Sequence, residues 1–151
     1  MLQFDQVTGN MRSLLVLAVL AASLLSCSPL PEGPQRGPSS DSDGVLRRAF
    51  EQRTRNLLVE GQGVVKRILP DDNEGSRHQR FIVELSSGQT LLIAHNIDIA
   101  PRVPGLRLGD EVAFGGEYEW NPEGGVIHWT HHDPSARHSG GWLKHKGQTY
   151  Q

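Results

Sequence analysis

The chain has 151 residues, with 15 basic and 17 acidic side chains and a formal net charge of −2. That length accommodates one ordinary domain and excludes two, and the near balance of charge excludes the strong non-specific nucleic-acid binding that a basic surface confers. A single cysteine, Cys27, excludes an internal disulfide framework, a Cys-x-x-Cys redox pair and a cysteine-rich zinc site.

Residues 14–25 form an unbroken apolar and small-residue run, preceded by Arg12 and followed by Ser26 and Cys27. The run has the size of a signal-peptide core and is short for a bilayer span. Leu24-Leu25-Ser26-Cys27 resembles the lipobox of bacterial lipoproteins, which implies a signal peptide over residues 1–26, cleavage before Cys27 and lipidation of Cys27. The expected location is the bacterial cell envelope, with the chain held to the membrane through the lipid on Cys27 and its domain facing the periplasm. Residues 1–10 carry Asp5 and no basic side chain, so translation is expected to start at Met11.

Residues 27–43 contain Pro29, Pro31, Pro34, Pro38, Gly33 and Gly37 and show no apolar periodicity, which marks a disordered tether. At about 3 Å per residue it reaches up to roughly 50 Å from the membrane. An amphipathic basic helix is expected over residues 44–58, capped by Ser42 or Asp43, with Leu46, Ala49, Phe50 and Leu57 on one side. Arg47, Arg48, Arg53 and Arg55 crowd the other side, as a solvated face or, in the sharper reading, a contact for anionic headgroups.

From Val59 the pattern changes to period two. Strands are expected over residues 59–69, 78–85, 89–96, 111–120 and 126–132, separated by turn-forming clusters such as Asp71-Asp72-Asn73-Glu74-Gly75 and Asn121-Pro122-Glu123-Gly124-Gly125. Phe81, Val83 and Leu85 share one face, as do Val112, Phe114, Tyr118 and Trp120. Five short strands fit a mainly β fold, a small OB-like barrel over residues 59–151 with one N-terminal helix, better than a sandwich.

The stretches His78-Gln79-Arg80-Phe81, His95-Asn96-Ile97-Asp98, Gly116-Glu117-Tyr118-Glu119-Trp120-Asn121 and His128-Trp129-Thr130-His131-His132-Asp133-Pro134, with Gly141-Trp142 and Tyr150-Gln151, carry a family likeness. They resemble a family of small bacterial exported proteins, domain of unknown function family 3465, and the resemblance implies the domain boundary and the OB-like barrel. It implies no activity.

All seven histidines follow residue 59, where acids outnumber bases 12 to 9. If Ile127 and Trp129 point inward, then His128, Thr130 and His132 point outward, and the same parity turns out His78, Arg80, Glu117 and Glu119. Together with His95, this face is the candidate binding site for a polar or anionic ligand: His78, Arg80, His95, Glu117, Glu119, His128 and His132. Imidazole, guanidinium and indole groups can hydrogen-bond and stack on a nucleotide or glycan. The alternative is a divalent metal such as zinc on His78, His95, Glu117 and His128, in a hydrolase. The blander readings are a solvated sheet face and an adaptor that grips another envelope protein. Adjacent on a strand, His131 and His132 cannot chelate one metal without a bend, which Asp133-Pro134 can supply. Asn96 and Asp98 read as turn formers, and Trp142 as a seal on the barrel's bottom or open side.

Overall fold

Leu46 and Ala49, three residues apart, commit the segment after the prolines to a helix with one buried face. In the computed structural model, which describes residues 39–151, this helix is α1, Ser39–Glu51. It starts before residue 44 and stops well before 58, because a Schellman turn closes it. Arg53 N–H donates to Phe50 O at 3.2 Å and Thr54 N–H to Ala49 O at 2.9 Å, with Arg53 in the left-handed region at φ 54°. Leu57 therefore opens a strand and leaves the helical face. Asp43 lies inside the helix, where its carboxylate accepts hydrogen bonds from Ser86 Oγ at 2.5 Å and Ser87 N–H at 2.9 Å. The expected signal peptide, the start at Met11, lipidation at Cys27 and the tether up to residue 38 lie outside the described residues.

Five strands close the expected barrel: β1 (Leu57–Ile68), β2 (His78–Glu84), β3 (Thr90–Asn96), β4 (Glu111–Glu119) and β5 (Val126–His128), in the order β1-β2-β3-β5-β4 and back to β1. β1 serves both seams. Residues 57–64 pair with β4, and residues 64–68 pair with β2 across a register shift between Val65 and Arg67, an irregularity of the kind that bends a strand. The β3–β5 pair is parallel and the other barrel pairs are antiparallel, which makes the barrel mixed.

Two further strands, β6 (Trp142–His145) and β7 (Gln148–Tyr150), form a hairpin on β4, in a segment where no strand was expected. Lys146 and Gly147 turn it with φ of 49° and 80°, the two-residue primed turn that matches strand twist. β5 is shorter than the sequence indicates, because Trp129 takes φ 52° and ends the alternation.

Phe81, Val83, Leu91, Ile93, Val112, Phe114, Tyr118, Ile127 and Leu143 fill the interior. α1 packs on this core through Leu46 and Ala49, which are buried with it. Between β3 and β4, residues 97–110 contribute Ala100 and Val103 to the buried set. Gln79 points inward and exchanges two hydrogen bonds with the Val103 backbone, at 2.9 and 3.0 Å, so this buried amide has partners at both ends. Among the described residues no helix is long and apolar enough to cross a membrane.

Candidate functional site

Alternation along β2, β4 and β5 places His78, Arg80, Glu117, Glu119 and His128 on the outer face of the barrel, each half-buried. Register then decides which of them meet. His128 stands directly opposite Glu117 in the β4–β5 ladder, and Ile93 pairs with Ile127, which sets Ala94 beside His128. Across β3, Asn96 pairs with His78. The sequence-derived face is therefore a continuous strip from His78 through Asn96 and Ala94 to His128 and Glu117.

Three candidates do not take part in it. Arg80 shares the face but is turned to the 69–77 loop, where its Nε donates to Pro70 O at 3.1 Å and its Nη1 lies 3.7 Å from Asp72 Oδ2. His95 lies inside the barrel with no exposed surface, since Leu91, Ile93 and His95 are the inward residues of β3. Its Nδ1 is 2.9 Å from Thr130 Oγ1 and its Nε2 3.0 Å from Pro101 O, so both ring nitrogens are spent within the protein. Burial lowers its pKa below the usual histidine value, against the pull of the Pro101 carbonyl. His132 is exposed on the loop after β5, and it is the backbone carbonyl of His132 that His131 Nδ1 contacts, at 2.9 Å.

The change of parity at Trp129 reshapes the site. Because Trp129 adopts a left-handed backbone, Thr130 turns inward to His95, while the indole stays on the outside and stacks on His138 at 4.0 Å and 19°. His131 packs against the same indole at 5.3 Å and His128 at 6.4 Å. The loop that carries these rings is closed where Gly141 N–H donates to His131 O at 2.9 Å. A Cβ on Gly141 would collide with Trp129 O and Gly115 O, so only glycine fits this crossing. Asp133, buried within the loop, accepts from the backbone N–H groups of Ser135, Arg137 and His138 at 2.7–2.8 Å, and these bonds hold its pKa below the usual carboxylate range.

His78, Ala94, Asn96, Ile99, His128, Trp129 and His131 enclose a pocket of about 160 Å³ on this outer face. An ion pair braces the chain beside its lining residues His78 and Ile99. Arg77 bonds Asp98 through both its backbone N–H and its Nε at 2.7 Å. Asp98 N–H in turn donates to Asn96 Oδ1 at 2.9 Å, which is the turn role expected of these two residues. Within the strip, His128 Nε2 is buried, lies 3.5 Å from Glu117 Oε1 and has no hydrogen-bond partner. Burial lowers the His128 pKa, opposed by the charges of Glu117 and Glu119, and His78 and His131 lower it further.

Sequence reasoning missed Trp129, His131 and His138 as neighbours of the strip. The His-Trp-Thr-His-His run is conspicuous in the sequence, but nothing in it signals a tryptophan at positive φ. Trp142 also departs from expectation. It lies on the outer face of β4 over Gly115, whose Cβ would sit 2.6 Å from the indole Nε1, and it does not seal the barrel's end. A wider hollow of about 600 Å³ beside Trp142 is lined by Gln62, Glu111, Lys144, His145 and Lys146. Its polar groups are largely paired already, Gln62 with Glu111, and His145 and Lys146 with Asp110.

No curated protein matches the chain. Residues 32–151, the whole of the described structure together with the stretch just before it, match the family described as "Protein of unknown function (DUF3465)", and the chain belongs to that family.

Proposed function

We propose that the chain is an exported, lipid-anchored binding module that holds a neutral polar ligand in the pocket between His78 and Trp129. The observation that carries this reading is the convergence of an indole, three imidazoles and a carboxamide on one small concavity. Aromatic faces receive the apolar side of a ring while a few placed polar groups fix its hydroxyls or amides. At about 160 Å³ the pocket falls below the roughly 300–1,000 Å³ of drug-sized sites, so it suits one ring of a larger glycan or nucleoside. Two carboxylates beside His128 disfavour an anion and leave a neutral hydrogen-bonding ligand as the better fit. The β2–β3 side is also the face that OB barrels commonly use for oligosaccharides and oligonucleotides, an argument by analogy of fold.

Calorimetry of the protein with a panel of neutral glycans and nucleosides tests this reading. Trp129→Ala and His78→Ala should each weaken binding, by about 1–3 kcal/mol for loss of the stacking ring, whereas Trp142→Ala should not. If no panel member binds, or if the Trp142 variant is the one that loses affinity, the pocket is not the site and the adaptor reading takes its place. The envelope half of the proposal rests on the apolar run at residues 14–25 and the Ser26-Cys27 junction. Labelled palmitate should enter the parent protein and fail to enter Cys27→Ser. No incorporation in the parent removes the anchor.

A further inference from the structure

The geometry points to a divalent transition-metal site, of the kind zinc occupies, formed by Glu117, Glu119 and His128. Among the described residues these three can bring one ligand atom each within 4.8 Å of one another. Two neighbouring strands supply them. Glu117 and Glu119 are the outward residues i and i+2 of β4, and His128 faces Glu117 across the ladder.

Glu117 Oε1 and His128 Nε2 are 3.5 Å apart, and no hydrogen bond joins them. In a tetrahedral zinc site with bonds of about 2.0–2.1 Å, neighbouring donors stand about 3.3–3.4 Å apart. The pair is thus already spaced as the edge of such a tetrahedron. In the neutral ring with its proton on Nδ1, the Nε2 lone pair faces a carboxylate oxygen, an arrangement that repels until a cation lies between them.

Glu119 is held in place from outside the cluster. Its Oε1 accepts the Asn56 backbone N–H at 2.9 Å and its Oε2 lies 3.8 Å from Arg55 Nη1. Asn56 reaches it from a left-handed turn at φ 53°. Orienting contacts of this kind aim a carboxylate ligand and leave it lone pairs for a metal. Three protein donors leave a fourth position open, as in sites that bind or activate a further ligand. Mixed imidazole and carboxylate donors favour zinc and its first-row neighbours over calcium or magnesium, which prefer all-oxygen shells.

This site goes beyond the pocket reading and shares only His128 with it. The test is calorimetry of the full chain in detergent with zinc and, separately, with calcium. The expected result is one zinc per chain with no matching calcium site, and zinc affinity weakened about tenfold or more in Glu117→Gln and in Glu119→Gln. His132→Ala, which alters an exposed histidine outside the cluster, should keep the parent affinity. Thermal melting in chelator should show both glutamine variants folded, and zinc should raise the midpoint of the parent but not of the variants. No zinc binding, equal affinity in the glutamine variants, or loss of binding in His132→Ala overturns the site. Repeating the glycan and nucleoside titrations in chelator keeps the two proposals apart, since Trp129 and His78 act there without the metal.

Discussion

His95 shows how one residue can be misassigned from sequence and still reveal chemistry. Its neighbours alternate clearly, and that alternation places it inward with Leu91 and Ile93. A histidine is nevertheless read first as a polar surface or ligand residue, which makes His95 a binding candidate on sequence grounds. What the sequence could not show is its pair of partners, Thr130 Oγ1 and Pro101 O, contributed by a bend and by a loop. Truncation to alanine would empty a filled position and orphan Thr130, so His95→Ala should destabilise the domain by about 2–4 kcal/mol in denaturant titrations. The folded-state pKa of His95 is lowered by burial, below an unfolded value of about 6.5. The unfolded chain then binds the proton more readily, so the stabilising effect of neutral His95 is fully present above about pH 6.5. It is lost as pH falls toward the lower folded-state pKa. His128, lowered in the same direction, adds to the slope. Denaturant midpoints should fall between pH 7 and pH 5, and less so in His95→Gln at its own lower baseline. A midpoint that rises over this range would contradict the assignment.

Among the elements, those with a clear apolar rhythm were legible and those made by backbone exceptions were not. The barrel strands announce themselves by period two and by turn clusters, and their parity placed His78, Glu117, Glu119 and His128 on one face. The helix was legible in Leu46 and Ala49 but not in its end, because a Schellman turn with arginine at the left-handed position lacks the usual glycine signal. The β6–β7 hairpin carried a readable cue in Lys146-Gly147, obscured by the polar strands beside it. The loop from Trp129 to Gly141 offered no rhythm at all, and it supplies the indole of the site. Its order depends on Asp133, whose carboxylate gathers three backbone N–H groups. Asp133→Ala should leave the barrel folded, speed hydrogen exchange at Ser135, Arg137 and His138, and loosen the His138 stack on Trp129. The local cost is about 1–3 kcal/mol for each lost hydrogen bond to the charged carboxylate. Unchanged exchange at those amides would show that something other than Asp133 orders the loop.

At the scale of the whole molecule, the proposed lipid anchor would hold at the membrane a barrel whose outer strip is the proposed binding site. The arginines clustered at residues 47–55 are partly drawn into the fold, Arg53 over the Trp120 ring at 5.1 Å and Arg55 beside Glu119, which leaves less of that cluster for a lipid surface. The three tryptophans report on three places: Trp120 packs against Phe50 beside α1, Trp129 lines the pocket, and Trp142 covers Gly115 on β4. Their indole N–H signals in a two-dimensional nitrogen–proton spectrum are separate probes in one sample. Titrating the protein with the neutral glycans and nucleosides therefore reports ligand contact at each place separately. Binding in the pocket predicts that the Trp129 indole and the Asn96 carboxamide shift together while Trp120 and Trp142 stay fixed. Shifts confined to Trp142, or no shift at any of the three indoles across the panel, would contradict it.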